Sequence, residues 1–225
     1  MKNRDEDEGS KLNQEPRIWS EFLDGAGGSW EVNLNSTGFQ HIDLLQDYAR
    51  AYHKAARRVV EGFRQTLQRE DWSKNHRDTD AHPIVFLYRQ ALELYLKTII
   101  VWGRPLRCLR GGSPKPREQF DHNLAKMLPS VKEIFGLIDC STIWIAPTFQ
   151  SFADIARVVQ VFNEFPHDAF RYPIDNRAGS KGLLTGGVRF NVLVFDEKLN
   201  LLLDLLDVAA TRTWETFESE ARRPR

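Results

Sequence analysis

The most regular pattern in the chain is a helical repeat of apolar residues between residues 39 and 70. Apolar side chains recur there at alternating steps of three and four, which is the spacing of one face of an α-helix. This face consists of Ile42, Leu45, Ala49, Tyr52, Ala56, Val59, Phe63 and Leu67. The opposite face is charged and holds Asp43, Asp47, Arg50, Lys54, Arg57, Arg58 and Arg64. The pattern predicts a long amphipathic helix with one side on the core.

Residues 84–102 are apolar on almost every side, in contrast to the two-faced first helix. Such a segment predicts the central buried helix of a bundle. Pro83 suits the first position of this helix, because its missing N–H group would be unbonded there in any case. Gly103 is predicted to end the helix, and the polar residues 70–82 before it are predicted to form a loop.

Three more helices are predicted along the rest of the chain. One begins near His122 and is interrupted or restarted near Pro129, one follows Pro147, and the last spans residues 198–218. Residues 188–195 are rich in β-branched and aromatic side chains, which favours a short edge strand. The predicted fold class is therefore all-α, an antiparallel bundle of four to five main helices joined by short connections.

The domain organisation follows from shifts in composition. Residues 1–15 are polar and acidic, which predicts a disordered tail. Residues 16–38 are too hydrophobic to extend into solvent, so we expect an N-terminal arm packed on the body. The helical bundle itself is predicted over residues 39–220, and a short basic C-terminal tail over residues 221–225.

Charge and composition narrow the classes of protein. The 31 Lys and Arg residues balance 31 Asp and Glu residues, so the formal net charge is zero. This excludes a protein that coats nucleic acid through bulk charge, since such domains are usually strongly basic, but it allows a local basic patch. The chain has neither a signal-peptide pattern nor an apolar run of about 20 residues. We therefore expect a cytoplasmic protein with no membrane partner.

Sequence motifs for cofactors and metals are missing. Cys108 and Cys140 lie far apart and form no zinc-type grouping, and the chain has no phosphate-binding glycine loop or metalloprotease motif. We expect no cofactor and no metal.

Three charged residues interrupt the apolar central helix. Arg89, Glu93 and Lys97 follow one another at steps of four and so lie on one face. Because an unpaired buried charge is costly, they must pair or reach a wet groove. One interpretation is an internal ion-pair network that fixes the packing. The other is a pocket in which Arg89 and Lys97 bind a phosphate and Glu93 orients them.

A second polar group lies at the predicted start of the following helix. Asn123 or Asp121 is suited to cap that helix, and His122 then fills a polar gap. Alternatively, His122 lies beside Arg89 and Glu93 and acts as a general acid or base near neutral pH.

Two further candidates come from loops. Arg171 and Tyr172 precede Pro173, which favours a helix-ending turn; alternatively, Arg171 lies at the mouth of a groove and faces a phosphate or a partner's carboxylate. The sequence of residues 104–117 predicts a loop with five positive charges and no negative one. This loop either is simply solvated or contacts phosphate groups. Its cations are Arg104, Arg107, Arg110, Lys115 and Arg117.

Three segments together carry a family resemblance. They are LYRQALELYLKTII (87–100), FDHNLAKMLPSV (120–131) and FNEFPHDAFRYPID (162–175). In their order and spacing they resemble the HEPN superfamily, small helical bundles of prokaryotic toxin–antitoxin and anti-phage defence systems. The matching positions are Ala91, Glu93, Leu96, Lys97, His122, Leu124, Arg171, Tyr172 and Pro173.

The resemblance implies a helical bundle that forms homodimers and works with RNA or with a protein encoded nearby, such as a nucleotidyltransferase, nuclease or helicase. Catalytic members are metal-independent endoribonucleases with an R-x(4–6)-H motif near the start of the last core helix. No His follows Arg171 at that spacing. Of the R-x(4–6)-H pairs elsewhere in the chain, Arg117–His122 adjoins a family-like segment and is the candidate catalytic pair.

Three functional hypotheses remain open from the sequence. The favoured one is an RNA- or partner-binding helical module without catalysis. The second is a metal-independent endoribonuclease with an atypical site, built from Arg117 and His122 or from Arg89 and His122. The third is a structural dimerisation or adaptor bundle.

Overall fold

A computed structural model describes eight segments of the chain: residues 44–67, 74–112, 122–139, 143–144, 148–163, 174–175, 181–182 and 190–223. They contain the helices α1 (Leu44–Thr66), α2 (Lys74–Leu109), α3 (Leu124–Phe135), α4 (Phe152–Asn163) and α5 (Val192–Ala221). They also contain the strands β1 (Ile174–Asp175) and β2 (Lys181–Gly182).

The predicted all-α class is confirmed by the five helices of the described segments. The two short strands pair antiparallel, with Ile174 opposite Gly182. The predicted tail (1–15) and N-terminal arm (16–38) lie outside the described residues. No helix in the described part of the chain is both long and apolar enough to cross a membrane.

Helix α2 is the centre of the bundle and packs against α1, α3 and α5. This helix was predicted to be buried because it is apolar on almost every side, and the burial of its side chains confirms the prediction. Each large apolar side chain that leaves water contributes about 1.5–3 kcal/mol to folding. The largest fully buried side chains of α2 are Ile84, Tyr88, Leu92, Tyr95, Leu96, Ile99, Ile100 and Leu106.

Helix directions follow from the contacts between helices. α1 runs antiparallel to α5, because Gln46 near its start contacts Asp207 and His53 contacts Asn200. α3 runs antiparallel to α4, because the Ala125 N–H donates to Asn163 while Phe135 contacts Phe152. These two pairs agree with the predicted antiparallel packing.

Helices α2 and α3, in contrast, point the same way. The start of α3 lies beside Arg89 and its far end beside Arg107. The 20 residues of α2 between Arg89 and Leu109 span about 30 Å. The 14 residues that connect α2 to α3 reach about 46 Å when extended, so this connection is long enough to return beside α2.

Two expected boundaries of α2 were wrong. The helix begins at Lys74 within the predicted loop, and it continues past Gly103 to Leu109. Pro83 and Pro105 therefore lie inside the helix. Each proline removes one helical hydrogen bond, but the turns that follow are anchored by side chains such as Ile84 and Leu106, which are buried. Tertiary packing outweighs the local preference.

The predicted strand at residues 188–195 was also wrong where the structure describes it. Residues 192–195 form the first turn of α5. The Asn191 side chain caps this helix, since its oxygen accepts hydrogen bonds from the N–H groups of Leu193 and Val194. A strong N-cap and the core contacts of the helix outweigh the β preference of these side chains.

The buried face of α1 is rotated slightly from the predicted stripe. Val59 and Leu67 are exposed, while Gln46 and His53 are buried. Both polar side chains have partners on α5: the Gln46 amide donates to the Asp207 carboxylate at 2.7 Å, and the His53 Nε2 lies 2.7 Å from the Asn200 oxygen. These hydrogen bonds offset the cost of burying polar groups, so α1 and α5 meet through a partly polar interface.

Candidate functional site between α2 and α3

A buried carboxylate lies at the centre of the site. The Glu93 side chain is 1% exposed. Its Oε1 atom accepts a hydrogen bond from Lys97 Nζ at 2.6 Å and lies 3.0 Å from His122 Nδ1. Its Oε2 atom lies 3.3 Å from Arg89 Nη1. Three side chains therefore surround one carboxylate, and we call Arg89, Glu93, Lys97 and His122 the α2–α3 cluster.

Local sequence explains how the cluster forms. The spacing of four stacks Arg89, Glu93 and Lys97 on one face of α2. The Asn123 side chain caps α3 by accepting a hydrogen bond from the Lys126 N–H at 3.2 Å, which confirms the capping interpretation. This cap holds His122 at the end of α3 that lies beside α2. Arg89 Nη2 then donates to the His122 carbonyl oxygen at 3.0 Å and ties the two helices together.

Exposure differs sharply among the four side chains. Arg89 is 5% exposed and Lys97 13% exposed, whereas His122 is 59% exposed. Arg89 and Lys97 form the internal ion-pair network that was one of the two interpretations from sequence. Two cations, Arg89 and Lys97, thus lie around one carboxylate beneath His122. The imidazole is thus the part of the cluster that a ligand in solution reaches most easily.

The orientation of His122 determines its chemistry. An ionised carboxylate only accepts hydrogen bonds, so Nδ1 carries the hydrogen in the contact with Glu93. In the neutral ring, Nε2 is then an acceptor that can take a proton from a ligand. A carboxylate that fixes the imidazole in this way is the arrangement used in general acid–base sites.

The other predicted site residues lie in other parts of the fold or outside the residues that the structure describes. Arg104 and Arg107 belong to α2, so the loop predicted to start at residue 104 was wrong at these two positions. Arg107 pairs with Glu133 at 3.4 Å, which joins α2 to α3. Predicted residues beyond the described segments are Lys115, Arg117, Arg171 and Tyr172.

Arg110, the third predicted loop cation, follows directly after α2 and pairs with Glu220 of α5 at 2.5 Å. Its hydrogen bond lowers the pKa of Glu220 from the usual value for a glutamate. The Arg110 charge is therefore balanced by an acid, and this position adds little to a positive surface.

Sequence reasoning missed a cleft between α1 and α5. The charged face of α1 was predicted from the sequence. Nothing in the sequence, however, indicated that Asp196 and Asn200 of α5 lie beside that face. The cleft has a volume of about 460 Å³. It is lined by Lys54, Arg57, Arg58, Val60, Glu61, Arg64, Asp196 and Asn200.

Among the described residues, the structure indicates no metal site at the cluster, and comparison with known proteins gives no family for the chain. Within the segments that the structure describes, no three His, Cys, Asp or Glu side chains are grouped so that they could hold a metal ion. Comparison with known proteins gives no family model, no curated protein and no solved structure that matches this chain. The resemblance to the HEPN superfamily therefore stays a prediction.

Proposed function

We propose that the chain is an RNA-binding helical module and that the α2–α3 cluster is its contact with the phosphate backbone. The observation that carries the proposal is the exposed His122 imidazole, which buried Glu93 holds beside the cations of Arg89 and Lys97. Glu93, Lys97 and His122 are also positions that the HEPN resemblance singles out. They lie in direct contact although 29 residues separate Glu93 from His122 in sequence.

The arrangement suits contact with a single phosphate better than the coating of a long strand. Protonated His122 would present an N–H donor to a phosphate oxygen, and charge-assisted hydrogen bonds of this kind are strong. The cations of Arg89 and Lys97 beneath would favour an anion at this position. A role in defence, homodimerisation and a partner encoded nearby belong to the same proposal and rest on the resemblance alone.

Removing the imidazole should weaken RNA binding. We expect His122→Ala to raise the Kd for a short single-stranded RNA about tenfold, which corresponds to a loss of about 1.4 kcal/mol. The dependence of log Kd on log salt concentration should fall by about 0.7, because the variant neutralises one phosphate fewer. Fluorescence anisotropy at several salt concentrations measures both quantities.

Lys132→Ala is the matched control, because Lys132 is an exposed cation of α3 outside the cluster. It should change the Kd less than twofold. Equal weakening in the two variants would mean that RNA responds to overall charge and not to the cluster. Wild-type protein that binds no RNA would favour the third hypothesis, a dimerisation or adaptor bundle.

A metal-independent endoribonuclease is the second candidate function. The observation that favours it is the hydrogen bond between His122 Nδ1 and Glu93, which makes Nε2 of the neutral ring the nitrogen that can accept a proton. In such a reaction Nε2 would take the proton of a ribose 2′-OH as its oxygen attacks the adjacent phosphorus. The bond to the 5′-oxygen would break, and a cyclic phosphate and a 5′-hydroxyl end would form once that oxygen gains a proton.

Cleavage in EDTA tests this second function. If the chain has this second function, the wild-type protein cuts RNA in EDTA and leaves a chain with 2′-deoxyribose at the cut position intact. His122→Ala should abolish cleavage while its circular dichroism spectrum stays that of the wild type. Intact RNA at high protein concentration would contradict the ribonuclease function and leave RNA binding as proposed.

A further inference from the structure

The cleft between α1 and α5 combines a cationic rim with a polar floor. Its cations are Lys54, Arg57, Arg58 and Arg64, all on exposed positions of α1. Arg64 is compensated, since its guanidinium pairs with Glu61 at 2.9 Å. The cleft is built by α1 and α5, whereas the α2–α3 cluster is built by α2 and α3, so the two are separate sites.

In the described part of the chain, three of these cations lack an acidic partner. Among the described residues, Lys54, Arg57 and Arg58 form neither an ion pair nor a hydrogen bond through their side chains. Arg57 and Arg58 lie three and four positions after Lys54, where like charges on a helix repel one another. An anion bound in the cleft would relieve this repulsion.

The floor of the cleft is fixed by two buried aromatic side chains. The Tyr88 hydroxyl donates to the Asp196 carboxylate and also lies 2.9 Å from the Asn200 oxygen. His53 Nε2 lies 2.7 Å from the same oxygen. Burial raises the pKa of Tyr88 above its usual value, and Asp196 raises it further, so the phenol stays a donor. Asp196 thus offers a rigidly held carboxylate as an acceptor, while the Asn200 oxygen is engaged by Tyr88 and His53.

Among the described residues, the cations of the cleft lie at one of its ends. A second cleft of about 530 Å³ shares Arg64, Asp196 and Asn200 with the first and continues along α5. The described residues that it adds are Glu197, Asn191 and apolar side chains, with no further cation. A long polyanion laid along both clefts would be repelled by Asp196 and Glu197. A compact anion at the rim avoids this repulsion.

We propose that the α1–α5 cleft binds a small sugar phosphate. Its phosphate contacts Lys54, Arg57 and Arg58, and its hydroxyl groups donate to the Asp196 carboxylate. A guanidinium pair is well suited to phosphate because its N–H groups match the oxygen geometry. The volume of about 460 Å³ lies within the range typical of small-molecule sites.

Ribose 5-phosphate is the probe for this site, with ribose and inorganic phosphate as partial probes. Isothermal titration should show saturable binding of ribose 5-phosphate, at least about tenfold tighter than binding of either partial probe. The double variant Arg57→Ala/Arg58→Ala should weaken ribose 5-phosphate binding at least about tenfold, because it removes two charge-assisted hydrogen-bond donors to the phosphate. Both side chains are exposed, so the fold should be retained, as circular dichroism can verify.

The control variant is Arg157→Ala/Arg212→Ala, which removes two exposed arginines from α4 and α5 outside the cleft. Its binding should equal that of the wild type, and so should that of His122→Ala, which makes this test independent of the RNA site. Equal weakening in both double variants would overturn the proposal in favour of bulk charge. Absence of saturable binding, or inorganic phosphate binding as tightly as ribose 5-phosphate, would also overturn it.

Should Arg57→Ala/Arg58→Ala fail to fold, the single variant Lys54→Gln serves in its place. It removes one exposed charge of the same rim and should weaken ribose 5-phosphate binding severalfold. Unchanged binding in this variant would overturn the proposed phosphate contact.

Discussion

We expect Glu93→Leu to lower the free energy of unfolding by about 3–5 kcal/mol, because it removes the buried carboxylate that pairs with both Arg89 and Lys97. Arg89 is 5% exposed and cannot turn to solvent without moving α3. In a domain of this size the loss corresponds to a fall in Tm of roughly 6–20 °C. Denaturant unfolding followed by circular dichroism measures the effect.

The exposed acid Glu215 supplies the matched control. It pairs with Arg212 at 3.3 Å on the surface of α5. Glu215→Ala should cost less than about 1 kcal/mol, as is usual for surface ion pairs. A second variant, Arg89→Met/Glu93→Leu, should be more stable than Glu93→Leu alone, because it removes both buried charges. If Glu93→Leu costs no more than Glu215→Ala, the cluster does not hold α2 and α3 together.

Gly103→Ala destabilises the protein by about 1–3 kcal/mol, although alanine is the better helix former. Gly103 is buried where α2 crosses α3. A Cβ atom there would lie 2.4 Å from the Ile134 Cγ1 and Cδ1 atoms and 2.7 Å from its Cγ2 atom. The branch carbons of Ile134 cannot all move aside, so the two helices would be pushed apart. Gly103 is thus a packing residue inside the helix and not its end.

Gly62→Ala is the control for helix propensity. Gly62 is exposed within α1, and a Cβ atom there would meet no described atom within 4 Å. This variant should gain about 0.5–1 kcal/mol, so the two Gly→Ala changes have opposite signs. Thermal melting of both variants tests the difference. If Gly103→Ala stabilised the protein as much as Gly62→Ala, α2 and α3 would not lie as close together as they do in the structure.

The fold class could be predicted because it depends on patterns that are local in sequence. The stripe of α1 and the apolar run of α2 are regular enough to indicate helices without tertiary information. Gly103 and Pro105 could not be interpreted in that way. Whether they end a helix depends on the close approach of Ile134 in α3 to Gly103 and on the burial of Leu106 in the core. Contacts between distant segments therefore decided the boundaries.

Only part of the site could be predicted. The shared face of Arg89, Glu93 and Lys97 follows from helix geometry, and the resemblance brought His122 into consideration. The difference in exposure between Arg89 and His122 could not be foreseen, because it depends on the distance between α2 and the start of α3. The α1–α5 cleft was missed for the same reason, since Asp196 belongs to a helix more than 100 residues away.

The proposed contact between RNA and His122 can be observed without any mutation, by NMR of the histidine side chains. Titration of isotope-labelled protein with a short single-stranded RNA should shift the His122 imidazole signals in proportion to the bound fraction. The signals of His53, which is buried against α5, should stay in place. RNA that binds while the His122 signals remain unchanged would show that the α2–α3 cluster is not the RNA site.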